Sequence, residues 1–389
     1  MSLTMPSFRL TGGHALIGQT MVEQPLSIVD GHIVEDVVST EIDLSDHMIL
    51  PGIVDLHGPN CSKTRSDQDR DAPMAETDLV AAQHGVTTAW VIQRWSWEDA
   101  GDIVRNSREA LSAHAETTAA LATDLRVQLL CDTHTMAHQA ELVDIVRSFR
   151  VQSVLFQTTV DDLLDLWVRA PSEFRCKAEQ AGRSPEALFD EVRQLKSRDA
   201  EVPRYLCNLA TIFDQLGVRY GSHNDADGSV RERYSMIGAK ICQSPTSVGA
   251  AFVARAWRDP ILMPAADVLA HGGDLSAPSS LSLIEKDACN ALVSNGDYPA
   301  LVSAVCQLVD RGHKSLPGAW SMVSSTPAAI AGLTDRGQLF AGKRADLAVV
   351  HKNTWQVEGT VAKGQWAYLS QSLLDRLNSA KRRSRLAAE

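Results

Sequence analysis

The chain has 389 residues, 44% hydrophobic and 22% charged, so it can bury a large core and has the composition of a soluble globular protein. Its net charge of −11 argues against nucleic acid or an anionic membrane as a partner, and no run approaches the roughly 18 apolar residues that a membrane helix needs. The seven cysteines are scattered without a Cys-x-x-Cys pair, which predicts reduced thiols and a cytoplasmic location.

Short apolar runs separated by turn residues predict a small β unit in residues 1–48. The pair Asp30-Gly31 lies between two of these runs and favours a hairpin. The next run begins at Ile49, is apolar and β-branched, and ends in Asp55-Leu56-His57. It predicts a buried strand over residues 49–56 with His57 at its carboxyl end.

Strand and helix patterns then alternate through residues 49–335. The candidate strands are 49–56, 86–92, 127–131, 151–156, 218–221, 239–242, 261–263 with 268–269 beyond it, and 291–293. Eight strands alternating with amphipathic stretches predict an α/β fold, a (β/α)8 TIM-like barrel. A doubly wound open sheet is the alternative, but no Gly-x-Gly-x-x-Gly follows an early strand.

Three further segments complete the chain. Residues 159–210 are rich in charge and predict two or three helices over one end of the barrel, either a lid or a solvated excursion. Residues 336–370 predict more short strands, and residues 371–389 predict a basic helix. Such a helix suits a solvated surface or contact with a second copy, so a homodimer stays open.

Polar residues at three strand ends suggest a metal site. In a barrel, His57, Asp132 and His223 would all lie at the carboxyl face. Two imidazoles and a carboxylate suit one Zn²⁺, Mn²⁺ or Fe²⁺ that activates water for hydrolysis. The alternative for each histidine is a hydrogen-bonded core or loop residue.

Other candidates follow later strands. Asp225 could act as an acid or bind a second cation, and Asp297, two residues after Asn295, is a possible base. Backbone N–H groups at His271-Gly272-Gly273 could bind a phosphate.

Two motifs carry a family resemblance. Leu50-Pro51-Gly52-Ile53-Val54-Asp55-Leu56-His57 and Gly342-Lys343-Arg344-Ala345-Asp346-Leu347 resemble those of the amidohydrolase superfamily. The most similar branch is that of alkylphosphonate utilisation, the PhnM-type ribose 1-methylphosphonate 5-triphosphate diphosphatases, matched also at Ser222-His223-Asn224-Asp225 and Asp297-Tyr298-Pro299-Ala300. The resemblance implies a small β-sandwich built from residues 1–48 and 336–370. It also implies a small phosphorylated substrate, contacted by Asn60, Lys63, His271, Gly272 and Gly273.

Four positions depart from the pattern of that branch. Pro59 stands where a second ligand follows the first histidine, and Asp132 replaces a glutamate. Gln157 and Asn295 stand where a histidine and an aspartate are expected. A two-metal site is therefore doubtful, while a one-metal site is retained. Two hypotheses follow: a metal-dependent hydrolase of a phosphorylated or phosphonate-bearing sugar, which we favour, or a catalytically degenerate binding or regulatory module.

Overall fold

The computed structural model describes residues 7–60, 74–99, 102–270 and 278–386. The chain begins with seven short strands: β1 Ser7–Thr11, β2 His14–Ile17, β3 Thr20–Val22, β4 Leu26–Val29, β5 His32–Val34, β6 Glu41–Asp43 and β7 His47–Pro51. The hairpin between β4 and β5 turns at Asp30 and Gly31, whose φ angles of 46° and 80° are the left-handed values that such a turn requires. The hairpin predicted at this pair is confirmed.

Eight parallel strands follow and lie side by side in chain order. They are β8 Ile53–Asp55, β9 Val86–Trp95, β10 Asp124–Asp132, β11 Ser153–Gln157, β12 Arg219–His223, β13 Ile241–Gln243, β14 Ile261–Pro264 and β15 Ala291–Val293. Along β10, Leu130 packs inside the barrel, while Val127, Leu129 and Cys131 pack outside against the helices. This alternation buries both faces of the sheet. Eight parallel strands in chain order confirm the predicted barrel, whereas residues 268–269, expected as an extension of the seventh strand, lie in a helix.

Side chains and backbone join the first and last strands of the barrel. The N–H of Asn295 donates to the carbonyl of His57 at 2.9 Å. The buried Asp55 carboxylate accepts from the N–H of Ser294 at 3.0 Å and from its hydroxyl at 2.5 Å. The carboxylate therefore holds β8 against the end of β15.

Three C-terminal strands complete the sandwich: β16 Leu347–His351, β17 Val357–Ala362 and β18 Gln365–Leu369. One sheet has the order β5-β4-β1-β6 and the other β18-β17-β16-β7-β2-β3, so both chain ends contribute, as expected. Leu10, Ile28, Ile49 and Val349 lie in the core of this sandwich.

The predicted strand 49–56 is two strands. Leu50 and Pro51 pair with β16 in the sandwich, whereas Ile53 pairs with β9 in the barrel. The break falls at Gly52, where a Cβ would lie 2.4 Å from the Thr87 hydroxyl. The apolar run thus passes from one sheet to the other without a polar residue to mark the change.

The helices connect and cover the barrel strands. They are α1 Met74–Gln83, α2 Ile103–Thr117, α3 Gln139–Ser148, α4 Val160–Arg169, α5 Pro171–Gln180, α6 Pro185–Lys196, α7 Val202–Leu216, α8 Gly228–Met236, α9 Val248–Trp257, α10 Ala266–Leu269, α11 Ser280–Glu285, α12 Tyr298–Asp310, α13 Leu316–Ser321, α14 Ser325–Ile330 and α15 Gln371–Leu386. In the ranges described, no helix is long and apolar enough to cross a bilayer.

Helices α4 to α6 form what we call the helical lobe, which lies within the predicted insertion. The helical lobe has its own small core, including Leu163, Phe174 and Val192. It begins just after β11 and is tied to the loop after β9, since the Trp97 indole donates to the Thr159 hydroxyl at 3.1 Å. It therefore sits beside the carboxyl ends of the barrel strands. Its role as a lid stays a prediction.

An ion-pair cluster joins the barrel to the returning chain. Asp124, at the start of β10, pairs with Arg126 at 2.9 Å, with Arg336 at 2.6 Å and with Arg344 at 3.4 Å. Arg344 also pairs with the buried Asp346. The Gly342–Leu347 motif therefore docks the sandwich onto the amino end of the barrel.

Candidate active site

Two histidines stack at the carboxyl ends of the first and fifth barrel strands. The ring centroids of His57 and His223 are 5.2 Å apart, with an interplanar angle of 25°. Burial lowers the pKa of His57 to about 4, and burial together with the neighbouring His57 lowers the pKa of His223 to about 3. Both imidazoles are therefore neutral at pH 7 and hold a free lone pair, the form that binds metals.

Gln128 is the strand residue that contacts this pair. Its side-chain oxygen lies 2.7 Å from His57 Nδ1, and its amide nitrogen donates to the Ser153 hydroxyl at 2.8 Å. Gln128 was not among the predicted site residues, because it lies inside β10, away from a strand end. The sequence feature that could have indicated Gln128 is a polar amide on the inward face of an apolar strand, two residues before the inward-facing Leu130.

Asp132 lies on the same strand, four residues beyond Gln128. At about 3.3 Å per residue the two Cα atoms are roughly 13 Å apart. One Asp132 oxygen accepts from the Thr159 hydroxyl at 2.7 Å and the other from the N–H of His134 at 3.2 Å. Burial raises the pKa of Asp132 to about 6, although the Thr159 hydrogen bond opposes this. The structure therefore places hydrogen-bond donors, and no imidazole of the pair, against this carboxylate.

Asp225 belongs to a buried ion-pair cluster. Its Oδ2 accepts from the Ser222 hydroxyl at 2.7 Å and lies 3.3 Å from the Arg231 guanidinium. Burial raises the pKa of Asp225, and the Arg231 charge opposes that rise. The guanidinium also pairs with Asp259 at 3.3 Å, so Asp225 is held by the protein's own cation.

Asn295, which stands at the position of the expected catalytic aspartate, and Asp297, the possible base, are exposed. Asn295 and Gly296 have φ angles of 50° and 90°, which form a tight turn between β15 and α12. The polar side chain buried at the end of β15 is instead that of Ser294, which bonds Asp55. The roles of Asn295 and Asp297 in catalysis stay predictions.

The predicted substrate-binding residues are placed only in part. Asn60 is exposed and bridges to Ile92 beside the first strand. Lys63, His271, Gly272 and Gly273 lie outside the described residues. Pro59 stands at the second ligand position, and its carbonyl accepts from the N–H of Ile92 at 2.8 Å.

The donor set fits a metal in part. His57 and His223 supply two neutral imidazoles, which suit Zn²⁺, Mn²⁺ or Fe²⁺. His223 Nδ1 is buried and has no hydrogen-bond partner among the residues that the structure describes. Across residues 7–60, 74–99, 102–270 and 278–386, no three His, Cys, Asp or Glu side chains lie together as a metal-binding group. The set of His57, Asp132 and His223 thus stays a prediction.

Comparison with known proteins supports the same fold and resemblance. No family model matches the chain. The alpha-D-ribose 1-methylphosphonate 5-triphosphate diphosphatase of Escherichia coli (strain K12) is 24% identical over 320 residues, which cover 78% of this chain and 83% of that protein.

Solved structures match along almost the whole chain. An N-acetyl-D-glucosamine-6-phosphate deacetylase from Mycobacterium smegmatis superimposes with a TM-score of 0.62 at 15% identity, over 94% of this chain and 100% of that one. The dihydropyrimidinase from Brevibacillus agri gives 0.57 at 12% identity, over 94% and 95%. The chain therefore shares the barrel-and-sandwich fold of these proteins, and its resemblance to the amidohydrolase superfamily, with a sequence match to the diphosphatase, is confirmed.

Proposed function

We propose that this protein is a hydrolase of a small phosphorylated or phosphonate-bearing molecule and that it works with one divalent metal. The stacked, neutral pair of His57 and His223 carries the proposal, because two imidazoles of the form that can bind a metal lie together at the carboxyl face of the barrel. The sequence match to a diphosphatase supports the phosphorylated substrate. A divalent metal at such a site supplies Lewis-acid activation of water.

The chain's own residues would divide the remaining work. His57 and His223 would hold the metal, and Gln128 would hold the His57 ring. The Arg231 cluster would fix the strand that carries His223, because its guanidinium also bonds the neighbouring Ser222 hydroxyl at 2.6 Å. The helical lobe would limit the access of water from one side.

Metal content and turnover test the proposal together. Zinc, manganese and iron are measured by mass spectrometry after loading and dialysis, in the native protein and in His57→Ala and His223→Ala. We expect about one equivalent in the native protein and in the control His32→Ala, whose ring is exposed in the sandwich. Both site variants should lose metal, together with the release of pyrophosphate from a ribose 5-triphosphate that carries a methylphosphonate at C1. A native protein that binds no metal and releases no product would overturn the proposal.

Pro59 favours a second candidate, a binding module without catalysis. A proline side chain offers no ligand atom, and its carbonyl is engaged by Ile92. This candidate predicts saturable binding of a phosphorylated sugar in calorimetry without turnover. It also predicts that a chelator leaves the melting temperature unchanged.

A further inference from the structure

We infer that Gln128 is a positioning residue that fixes His57 as the Nδ1–H tautomer and leaves Nε2 as its lone-pair nitrogen. The hydrogen bond itself is independent of the reaction. Its use in metal binding rests on the proposed function.

The chemistry of the contact sets the tautomer. An amide oxygen only accepts hydrogen bonds, so the 2.7 Å contact between Gln128 Oε1 and His57 Nδ1 places the proton on Nδ1. A neutral imidazole carries one N–H, so Nε2 then has the free lone pair. Metal-binding histidines commonly donate their other ring nitrogen to such a partner, which orients the ring.

A second hydrogen bond pairs the other end of the Gln128 amide. Gln128 pairs in register with Ser153 on the neighbouring strand, and its Nε2 lies 2.8 Å from the Ser153 hydroxyl. Both side chains are buried, with 3% and 7% of their residue surfaces exposed. In this arrangement the amide nitrogen donates to Ser153 and the amide oxygen accepts from His57, so both polar ends of the Gln128 side chain are paired.

The residues around Gln128 support a role for its amide in orienting the His57 ring. The barrel interior around Gln128 includes the apolar Leu56, Leu130 and Leu155, together with the polar Ser153 and Gln243. A buried amide costs roughly 1–3 kcal/mol when its hydrogen bonds are not made, so leucine would be the simpler residue here. The Gln128 amide lies beside the His57 ring inside the barrel and forms a hydrogen bond with it.

Nitrogen-15 NMR of the metal-free protein reads the tautomer directly. We expect the His57 signals, assigned by their loss in His57→Gln, to show the proton on Nδ1. The same tautomer should persist in Gln128→Glu, whose carboxylate also accepts, and should be lost or mixed in Gln128→Leu. A native His57 with its proton on Nε2 would overturn the inference, whether or not Gln128→Leu folds.

Zinc affinity measures how far the Gln128 hydrogen bond supports metal binding by His57. We expect Gln128→Leu to weaken Zn²⁺ binding by 10–100-fold with an unchanged circular dichroism spectrum, and Gln128→Glu to restore it. The control Gln152→Leu removes an exposed amide that bonds Arg126, and it should bind zinc like the native protein. Equal zinc affinity in all four proteins would refute the positioning role. A protein that binds no zinc would instead refute the proposed function and leave the tautomer result standing.

Discussion

Replacing Arg231 by methionine should destabilise the protein more than most single substitutions. The Arg231 side chain is fully buried on α8 and lies 3.3 Å from both Asp225 and Asp259. It also donates to the hydroxyls of Ser222 and Ser235 and to the backbone carbonyls of Ala239 and Ile241. Methionine has a similar length, so the loss is mainly one of charge and hydrogen bonds.

The size of the effect follows from the carboxylates left behind. Asp225 and Asp259 are 1% and 2% exposed, so neither can recover its hydration after the guanidinium is removed. Breaking a buried ion pair by removing one partner costs about 3–5 kcal/mol. An unfolding entropy of about 2.1 cal/mol/K per residue gives roughly 1.2 °C per kcal/mol for 389 residues, so the melting temperature should fall by about 4–6 °C.

Urea unfolding, followed by circular dichroism, measures the loss. The control Arg233→Met removes an exposed arginine from the same helix and should change the free energy of unfolding by less than about 0.5 kcal/mol. Adding Asp225→Asn and Asp259→Asn to Arg231→Met should recover part of the stability, because no buried charge is then unpaired. A loss below about 1 kcal/mol in Arg231→Met would refute this account and return Asp225 to the catalytic candidates.

Three further predictions concern pH, packing and the domain junction. Since burial lowers the pKa of His57 to about 4, this residue binds more protons in the unfolded chain than in the folded one between about pH 6.5 and pH 4, so His57 alone should contribute a loss of roughly 3 kcal/mol to the metal-free protein as the pH falls from 7 to 4. Urea titrations across this range should show a smaller loss in the double variant His57→Gln/His223→Gln. Gly221→Ala should cost several kcal/mol in urea unfolding, because its Cβ would lie 2.3 Å from a backbone oxygen of β13, whereas Gly249→Ala, with no heavy atom closer than 3.7 Å, should be tolerated. Asp124→Ala should lower the free energy of unfolding by roughly 1.5–3 kcal/mol, because it removes the carboxylate that Arg126, Arg336 and Arg344 share, and an unchanged urea midpoint would contradict the proposed docking role.

Much of the fold could be predicted because its signals are local. Apolar runs of strand length, spaced by helical stretches, were enough for eight barrel strands, and Asp30-Gly31 was enough for a hairpin. The division at Gly52 could not be read in this way. It depends on which sheet each half of a continuous apolar run pairs with, and pairing is a long-range property.

The site could likewise be predicted only in part. The rule that ligands lie at strand ends found His57 and His223, and the structure brings their rings together. The same rule placed Asp132 with them, but the His57 ring reaches a residue four positions earlier on that strand. Such contacts depend on the length of each side chain and on the offset of neighbouring strands along the barrel axis. Neither can be inferred from a single segment of the sequence.

The backbone around Pro59 keeps its place in the barrel, although the proline side chain offers no atom that could bind a metal. After His57 the chain still lies along β9, since the N–H of Gly58 donates to the Trp90 carbonyl at 2.8 Å and the Pro59 carbonyl accepts from Ile92 at 2.8 Å. In this pairing Pro59 contributes only its carbonyl, so the missing N–H of proline costs no hydrogen bond with β9. The position therefore holds its place in the barrel while its side chain supplies nothing to a metal. At this strand the chain differs by one side chain from the two-metal pattern that the resemblance implies. Its backbone still pairs with the barrel.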